Sequence, residues 1–310
     1  MKNFSYTKSP NLIEEISKFD NLNRDLLLTP ISPKDKLVLR WEATVDRIFY
    51  GITLSGDRSV SKEEIIEILA PKTNKTFKKD EKEIFNLKKV FDYIFFEWTL
   101  SANTITADIL KSLYQTIYSA QTEQNLPDLE KSLRYIQTNP DHPLLQAALV
   151  QIIILTNSFF QNNSGLMSSL TYLLFLNKNG YDFRGMLVLD EYYFQNKARY
   201  QRLIVQAARE PNFTPWLEFV IEAAVAQLDR LLKKISTKEY QKNSVVINLN
   251  ERQKNILGLL DQPGLKITNM TIQKVFKVSP ITAARDLSKL TTLGLLLSIG
   301  KGRSTYYTKV

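Results

Sequence analysis

The 310-residue chain contains no cysteine and a single histidine, His142. The first absence excludes disulfides and thiolate metal sites. The second excludes a multi-histidine zinc site and any mechanism that needs two histidines from one chain. Glycine is scarce, at ten residues, while leucine-rich stretches are frequent, which points to a mostly helical chain. No apolar run is long enough to cross a bilayer. The longest, 147–160, is interrupted by Gln151, Thr156, Asn157 and Ser158. Residues 1–10 carry no apolar signal segment, so the expectation is a cytoplasmic protein without a membrane partner. P-loop, Gly-x-Gly-x-x-Gly and His-Glu-x-x-His signatures are also absent.

What is present is ordinary in bulk and uneven in detail. Apolar residues make up 44% and charged residues 24%, values that allow a core of normal size. The length suggests two domains. The net charge is +9, but residues 249–310 hold ten Lys and Arg against three Asp and Glu, leaving only +2 for the rest. A local excess of that kind suggests a polyanionic partner.

Residues 1–34 read as a leader with one short amphipathic segment, 12–19. A helix is expected over 34–49, where Leu37, Val38, Trp41, Val45 and Ile48 share one face. Residues 51–59 read as a turn. The Ser61 and Glu64 pair is a capping box opening a helix at 63–69. Further helices are expected over 83–98, from Thr104 or Thr106 to 118, and over 128–137. Others follow over 143–159, 166–177, 189–207 and 214–235. The segment 143–159 is apolar nearly all round and should be buried. Phe91, Tyr93, Phe95, Phe96 and Trp98 are expected as core residues. The fold class is mainly α, with a helical domain over 35–236 and a polar linker over 237–248.

Residues 249–310 predict three helices, 250–260, 268–276 and 279–293. Two β-prone runs follow, 295–299 and 304–308, turning through Gly300, Lys301, Gly302 and Arg303. Ser279 and Pro280 supply an N-cap and a proline at the first helical position. Three helices and a small β-hairpin form the winged variant of the helix-turn-helix, whose third helix enters the DNA major groove. Ile281, Ala284, Leu287 and Leu290 are expected in the core. Thr282, Arg285 and Lys289 are expected to face double-stranded DNA, Arg285 with the fork geometry for guanine. Lys301 and Arg303 suit phosphate or minor-groove contact at the wing tip. The run Val278 to Leu287 resembles the recognition helix of bacterial winged-helix regulators.

In the larger domain, His142-Pro143-Leu144 with Ala147 and Ala148, Asn179-Gly180-Tyr181, Leu189-Asp190-Glu191-Tyr192 and Pro215-Trp216-Leu217-Glu218-Phe219 resemble successive core helices of the Fic family. Such a resemblance implies transfer of AMP from ATP to a protein hydroxyl. The family's motif is His-Pro-Phe-x-Asp/Glu-Gly-Asn-Gly-Arg-x-x-Arg, and the matching stretch runs from Asn157 to Ser168. Asn157 stands at the general-base histidine, Gln161 at the Mg²⁺-holding acid, and Gly165 and Ser168 at the phosphate-binding arginines. Phe159 and Asn163 match. Loss of a general base alone typically costs about 10²–10⁴ in rate, and a neutral amide is a poor ligand for a hard cation.

No catalytic residue and no cofactor is therefore expected; ATP and Mg²⁺ belong only to a residual Fic-type activity. The inhibitory helix motif of many members has its counterpart at 45–50, where hydroxyl and glutamate are both gone. The segment 118–128 is short for the family's target-docking hairpin. Asn162, Asn163, Ser164 and Gly165 precede a helix and form a candidate anion nest, against the plainer reading of an ordinary turn. His142 is expected as a capping or surface residue. The leading expectation is a homo-oligomeric, DNA-binding transcriptional regulator with a catalytically degenerate Fic-like body. The alternatives are a divergent AMP transferase and a non-catalytic module that binds a protein partner.

Overall fold

The computed structural model describes residues 4–56, 59–69, 78–118, 126–157, 159–160, 163–181, 183–210, 212–237, 249–260, 265–293, 295–300 and 302–309, without the side chains of 33, 34, 303 and 309. Fourteen α-helices and one two-stranded antiparallel sheet are present among them. None of these helices is long and apolar enough to cross a membrane.

The larger body is built around α7 (Pro143–Thr156) and α8 (Ser164–Lys178), which pack along each other. Both are buried almost all round, α7 from Leu144 to Ile154 and α8 from Leu166 to Asn177. His142 caps α7: its Nδ1 accepts from Leu144 N–H at 3.2 Å, with Pro143 at the first helical position. Its Nε2 lies 3.2 Å from Asp20 and 3.1 Å from the Tyr181 hydroxyl. The histidine is a structural cap, as expected.

Several elements depart from the sequence expectation. Residues 10–28 are not a leader with a short segment but a 19-residue helix, α1 (Pro10–Leu28). Its Leu12, Phe19 and Leu26 are fully buried in the main core. Each such burial stabilises by about 1.5–3 kcal/mol. The partner is α11 (Thr214–Thr237), the last helix of the body. Arg184, in a short 3-10 turn, donates to the carbonyls of Thr29 at 2.9 Å and of Leu27, closing the C-terminal end of α1.

The first five residues of the expected turn at 51–59 instead belong to α2 (Pro33–Ser55), which stops only at Gly56 in the left-handed region. Gly51 does not break the helix because its missing side chain is used for packing. A Cβ there would lie 3.1 Å from Leu166 of α8. The helix α3 (Lys62–Leu69) opens on the expected capping box, with reciprocal Ser61 and Glu64 bonds of 2.8 and 3.1 Å. The layer is completed by α4 (Lys79–Glu97), α5 (Ala107–Tyr118) and α6 (Leu126–Thr138). Of the aromatic cluster expected in the core, Phe91 and Trp98 are buried, while Tyr93 is exposed.

The single helix expected over 189–207 is two: α9 (Asp190–Gln195) and α10 (Lys197–Arg209), broken at Asn196. Asn196 has φ −110° and ψ 33°, and its side chain donates to the Tyr192 carbonyl at 3.0 Å. That local bond competes with helix continuation.

The C-terminal unit has its own core of Ile256, Leu260, Ile267, Ile272, Ala283, Leu287, Leu290, Leu295 and Leu296. It contains α12 (Glu251–Gly258), α13 (Asn269–Phe276), α14 (Pro280–Thr292), β1 (Leu296–Ile299) and β2 (Tyr306–Lys309). The strands pair with Leu296 opposite Lys309 and Ile299 opposite Tyr306. Ile267 adds an antiparallel bridge to Tyr307, with bonds of 2.9 and 2.7 Å. This third β contribution had no sequence signal of its own. Leu37 of α2 also packs against this second core. The expected linker lies outside the described residues beyond Thr237.

Candidate functional site

The motif stretch begins where α7 ends. The helix stops at Thr156, three residues short of expectation, and Asn157 is extended, with φ −124° and ψ 127°. Its side-chain amide donates back to the Ile153 carbonyl at 2.8 Å. Asn157 therefore completes the helix end. Phe159 and Phe160 are buried and hold the turn to the core. Gln161 and Asn162 lie outside the described residues.

Asn163 precedes α8, and its backbone N–H is already committed to the Phe160 carbonyl at 3.0 Å. Its side-chain amide reaches the Tyr114 hydroxyl at 3.4 Å. Of the candidate nest, Ser164 and Gly165 form the first turn of α8. Gly165 lies against α2: a Cβ there would be 3.2 Å from Ser55 Oγ. Ser168 is fully buried, and its hydroxyl donates to the Gly165 carbonyl at 2.7 Å. The two positions that the family fills with arginine thus face helix α2 and the interior.

Beside this turn lies an open cavity of about 180 Å³, bordered by Ser55, Asp80, Glu83, Leu87 and Leu166. Carboxylates rather than cations border it, which disfavours a polyphosphate. No cluster of three or more His, Asp and Glu suitable for a metal ion occurs among the described residues. Among the described residues of this turn, none offers a cation to a polyphosphate.

A buried polar cluster sits deeper, where α2, α7, α8 and α9 meet. Arg47 is 2% exposed. Its Nε and one Nη donate to the Leu187 carbonyl at 3.0 and 2.6 Å. Its guanidinium stacks 4.9 Å from the Phe95 ring. Burial pushes it down to about 10, still charged near neutral pH. Asp190 accepts from Ser169 Oγ at 2.6 Å. Burial raises its carboxyl above the usual range, while the Ser169 bond and the Arg47 charge oppose that rise. Tyr193 donates to Gln151 at 3.2 Å. The cavity among these groups is about 10 Å³, the size of a single water. These groups tie four helices together. From sequence, Arg47, Gln151 and Asp190 fall within expected helical segments, but nothing there brings them together, since a charged residue inside a helix face looks like a solvated one.

The second candidate surface is α14. Lys277, in the left-handed region at φ 49°, turns the chain from α13 toward it. Ser279 caps it, accepting from Thr282 N–H at 3.2 Å. Asn269 holds the Pro280 carbonyl at 3.1 Å. The buried stripe is Ala283, Asp286, Leu287 and Leu290. This corrects the expected core face: Ile281 is 68% exposed and Ala284 is exposed as well. The small Ala283 permits close packing, which rotates the inward face by about one residue.

Arg285 is exposed, while Thr282 and Lys289 are partly buried at the edges of the outward face. The Thr282 hydroxyl lies 2.9 Å from Ser279 Oγ. Asp286 is locked inward by Arg252 Nε at 2.5 Å and Gln253 Nε2 at 2.8 Å, fastening α12 to α14. Lys301 lies outside the described residues. Arg303 falls in a 3-10 turn between the strands, and its side chain is not described.

No family model matches the sequence, and no curated protein matches it. Among solved structures, the fold is similar to a Fic family protein from Desulfovibrio desulfuricans G20. That match has 14% identity and a TM-score of 0.60 over 98% of this chain and 97% of the other. It is also similar to a Fic domain containing signaling protein from Bacteroides thetaiotaomicron VPI-5482. Identity there is again 14%, with a TM-score of 0.56 over 74% of this chain and 98% of the other. The chain has the fold of these Fic family proteins.

Proposed function

We propose that this protein is a DNA-binding transcriptional regulator, in which a Fic-like helical body without transferase chemistry carries a winged-helix domain. The observation that carries this reading is Arg285, exposed on the outward face of α14, the second helix of a helix-turn-helix pair. It sits in a 62-residue segment with ten basic residues and three acids. Arg252 and Lys254 pair with Asp286 and Glu251, and the other eight basic residues fall within 266–309. Arg285 would read a guanine, with Thr282, Lys289, Lys301 and Arg303 supporting it at neighbouring bases and phosphates.

The body supports the non-catalytic half of the proposal. Asn157 is bonded into its own helix. Gly165 and Ser168 offer no cation to a phosphate, and the first is covered by α2. Its role would be to pair two copies or to sense a ligand, since helix-turn-helix dimers bind half-sites about one helical turn apart.

The test is selection of genomic DNA fragments by the full chain, with affinity followed across salt. A defined site, bound tightly at physiological salt by two copies, is the expected result. Weak binding to all fragments with a steep salt slope would reduce the positive charge to a nonspecific effect.

A further inference from the structure

We infer that the outward face of α14 reads thymine methyl groups through Ile281 and Ala284, next to the base pair read by Arg285. This inference rests on the DNA-binding reading above. Ile281, Ala284, Arg285 and Ser288 are all exposed, and at spacings of three and four they share one stripe of the helix. Ile281 is 68% exposed. It belongs neither to the C-terminal core nor to the partly buried side chains packed against it.

The isoleucine is also held in place. The first turn of α14 is fixed by the Ser279 cap, by Pro280, and by the Asn269 bond to the Pro280 carbonyl. A β-branched side chain on a rigid helical turn presents a stiff apolar surface at little further entropic cost. In a segment this basic, the surface facing it is an anion-rich polymer. The one apolar group that such a polymer offers in its major groove is the thymine 5-methyl.

Ile281 and Arg285 are four residues apart, about 6 Å along the helix. That distance corresponds to about two base-pair steps. The preferred half-site therefore contains a thymine within about two base pairs of the guanine contacted by Arg285. Thr282 lies one position round the helix from this stripe, with its hydroxyl 2.9 Å from Ser279 Oγ.

The experiment uses the full chain and the duplex selected from random double-stranded oligonucleotides. Each thymine is replaced in turn by deoxyuridine, which keeps base pairing and removes only the methyl. Wild type, Ile281→Ala and Arg285→Ala are compared. One such replacement near the essential guanine should weaken wild-type binding about fourfold, the effect of burying one methyl. The same replacement should leave Ile281→Ala unaffected. Unchanged melting of the Ile281→Ala protein checks that it folds.

If DNA is bound but no thymine position responds, or the response persists in Ile281→Ala, the inference fails and the DNA-binding reading stands. If Ile281→Ala dissociates a dimer in sedimentation, the residue belongs to a subunit contact and the inference fails. If no duplex is enriched, both fail together.

Discussion

Arg285 and Asp286 are adjacent in sequence on α14, yet one is exposed to solvent and the other is 2% exposed in the C-terminal unit. Their substitutions should therefore separate binding from folding. Arg285→Ala should weaken specific DNA binding by about tenfold or more, the loss of a bidentate base contact, with melting unchanged. Asp286→Ala leaves the buried Gln253 amide and the Arg252 guanidinium without their acceptor. It should destabilise the C-terminal unit by about 1–3 kcal/mol. Hydrogen exchange across 251–309 in both variants checks the contrast.

The approach of Gly165 to Ser55 predicts a coupled effect. Gly165→Ala introduces a methyl 3.2 Å from Ser55 Oγ, so it should destabilise in the wild type despite the better helix propensity of alanine. In a Ser55→Ala background the obstacle is gone and the same change should be neutral or stabilising. A urea double-mutant cycle should give a coupling of about 0.5–1 kcal/mol. With Gly165 and Ser168 standing where the family has arginines, Asn157→His alone should not create an AMP transferase. No label from α-labelled ATP should reach protein with either Mg²⁺ or Mn²⁺, and labelling above wild type would count against a body without transferase chemistry.

The buried Arg47 and Asp190 give an unusual pH dependence. Asp190 holds its proton to higher pH in the folded state than in the unfolded chain. Between those two pKa values the folded state binds more protons, so this residue's contribution to stability falls as pH rises. Arg47 limits the effect, because its charge opposes the rise. Arg47→Ala should therefore destabilise at every pH and do so more at about pH 7 than at about pH 4. The loss near neutrality should reach about 3 kcal/mol, as for a buried charge deprived of its counter-charge. Denaturant melts at the two pH values test the sign.

His142 caps α7 through Nδ1, which accepts from Leu144 N–H. His142→Ala should cost about 1 kcal/mol, and His142→Asn should recover most of it, since asparagine is a strong N-cap residue. A catalytic role would give the opposite pattern, with folding intact and activity lost. Thermal melts of the two variants decide between these outcomes.

Much of the architecture was legible from local patterns. The Ser61 capping box, the Ser279-Pro280 start of α14 and the all-round apolar α7 are signals that a short window contains, and each starts where expected. What was missed depends on distant partners. Gly51 reads as a breaker until Leu166 is seen to occupy the space of its missing side chain. Asn157 reads as a lost base, and only the fold shows that its amide closes the helix before it. Ile281 reads as core by residue type, whereas the small Ala283 sets the buried stripe. The helix α1 was under-read because Asp20, Asn21, Asn23, Arg24 and Asp25 dilute a pattern that Leu22 and Leu26 continue.

The packing of α1 on α11 has a consequence for how the chain is made. Ser9 and Glu218, which join the two helices by a 3.1 Å bond, are 209 residues apart. At ordinary translation rates of about 5–20 residues per second, roughly 10–40 s separate the synthesis of the two partners. During that interval Leu12, Phe19 and Leu26 leave the ribosome without the surface that later buries them. Helix α1 is thus made well before the surface that fixes its place. A nascent chain halted before α11 should expose an apolar stripe that holdase chaperones can bind.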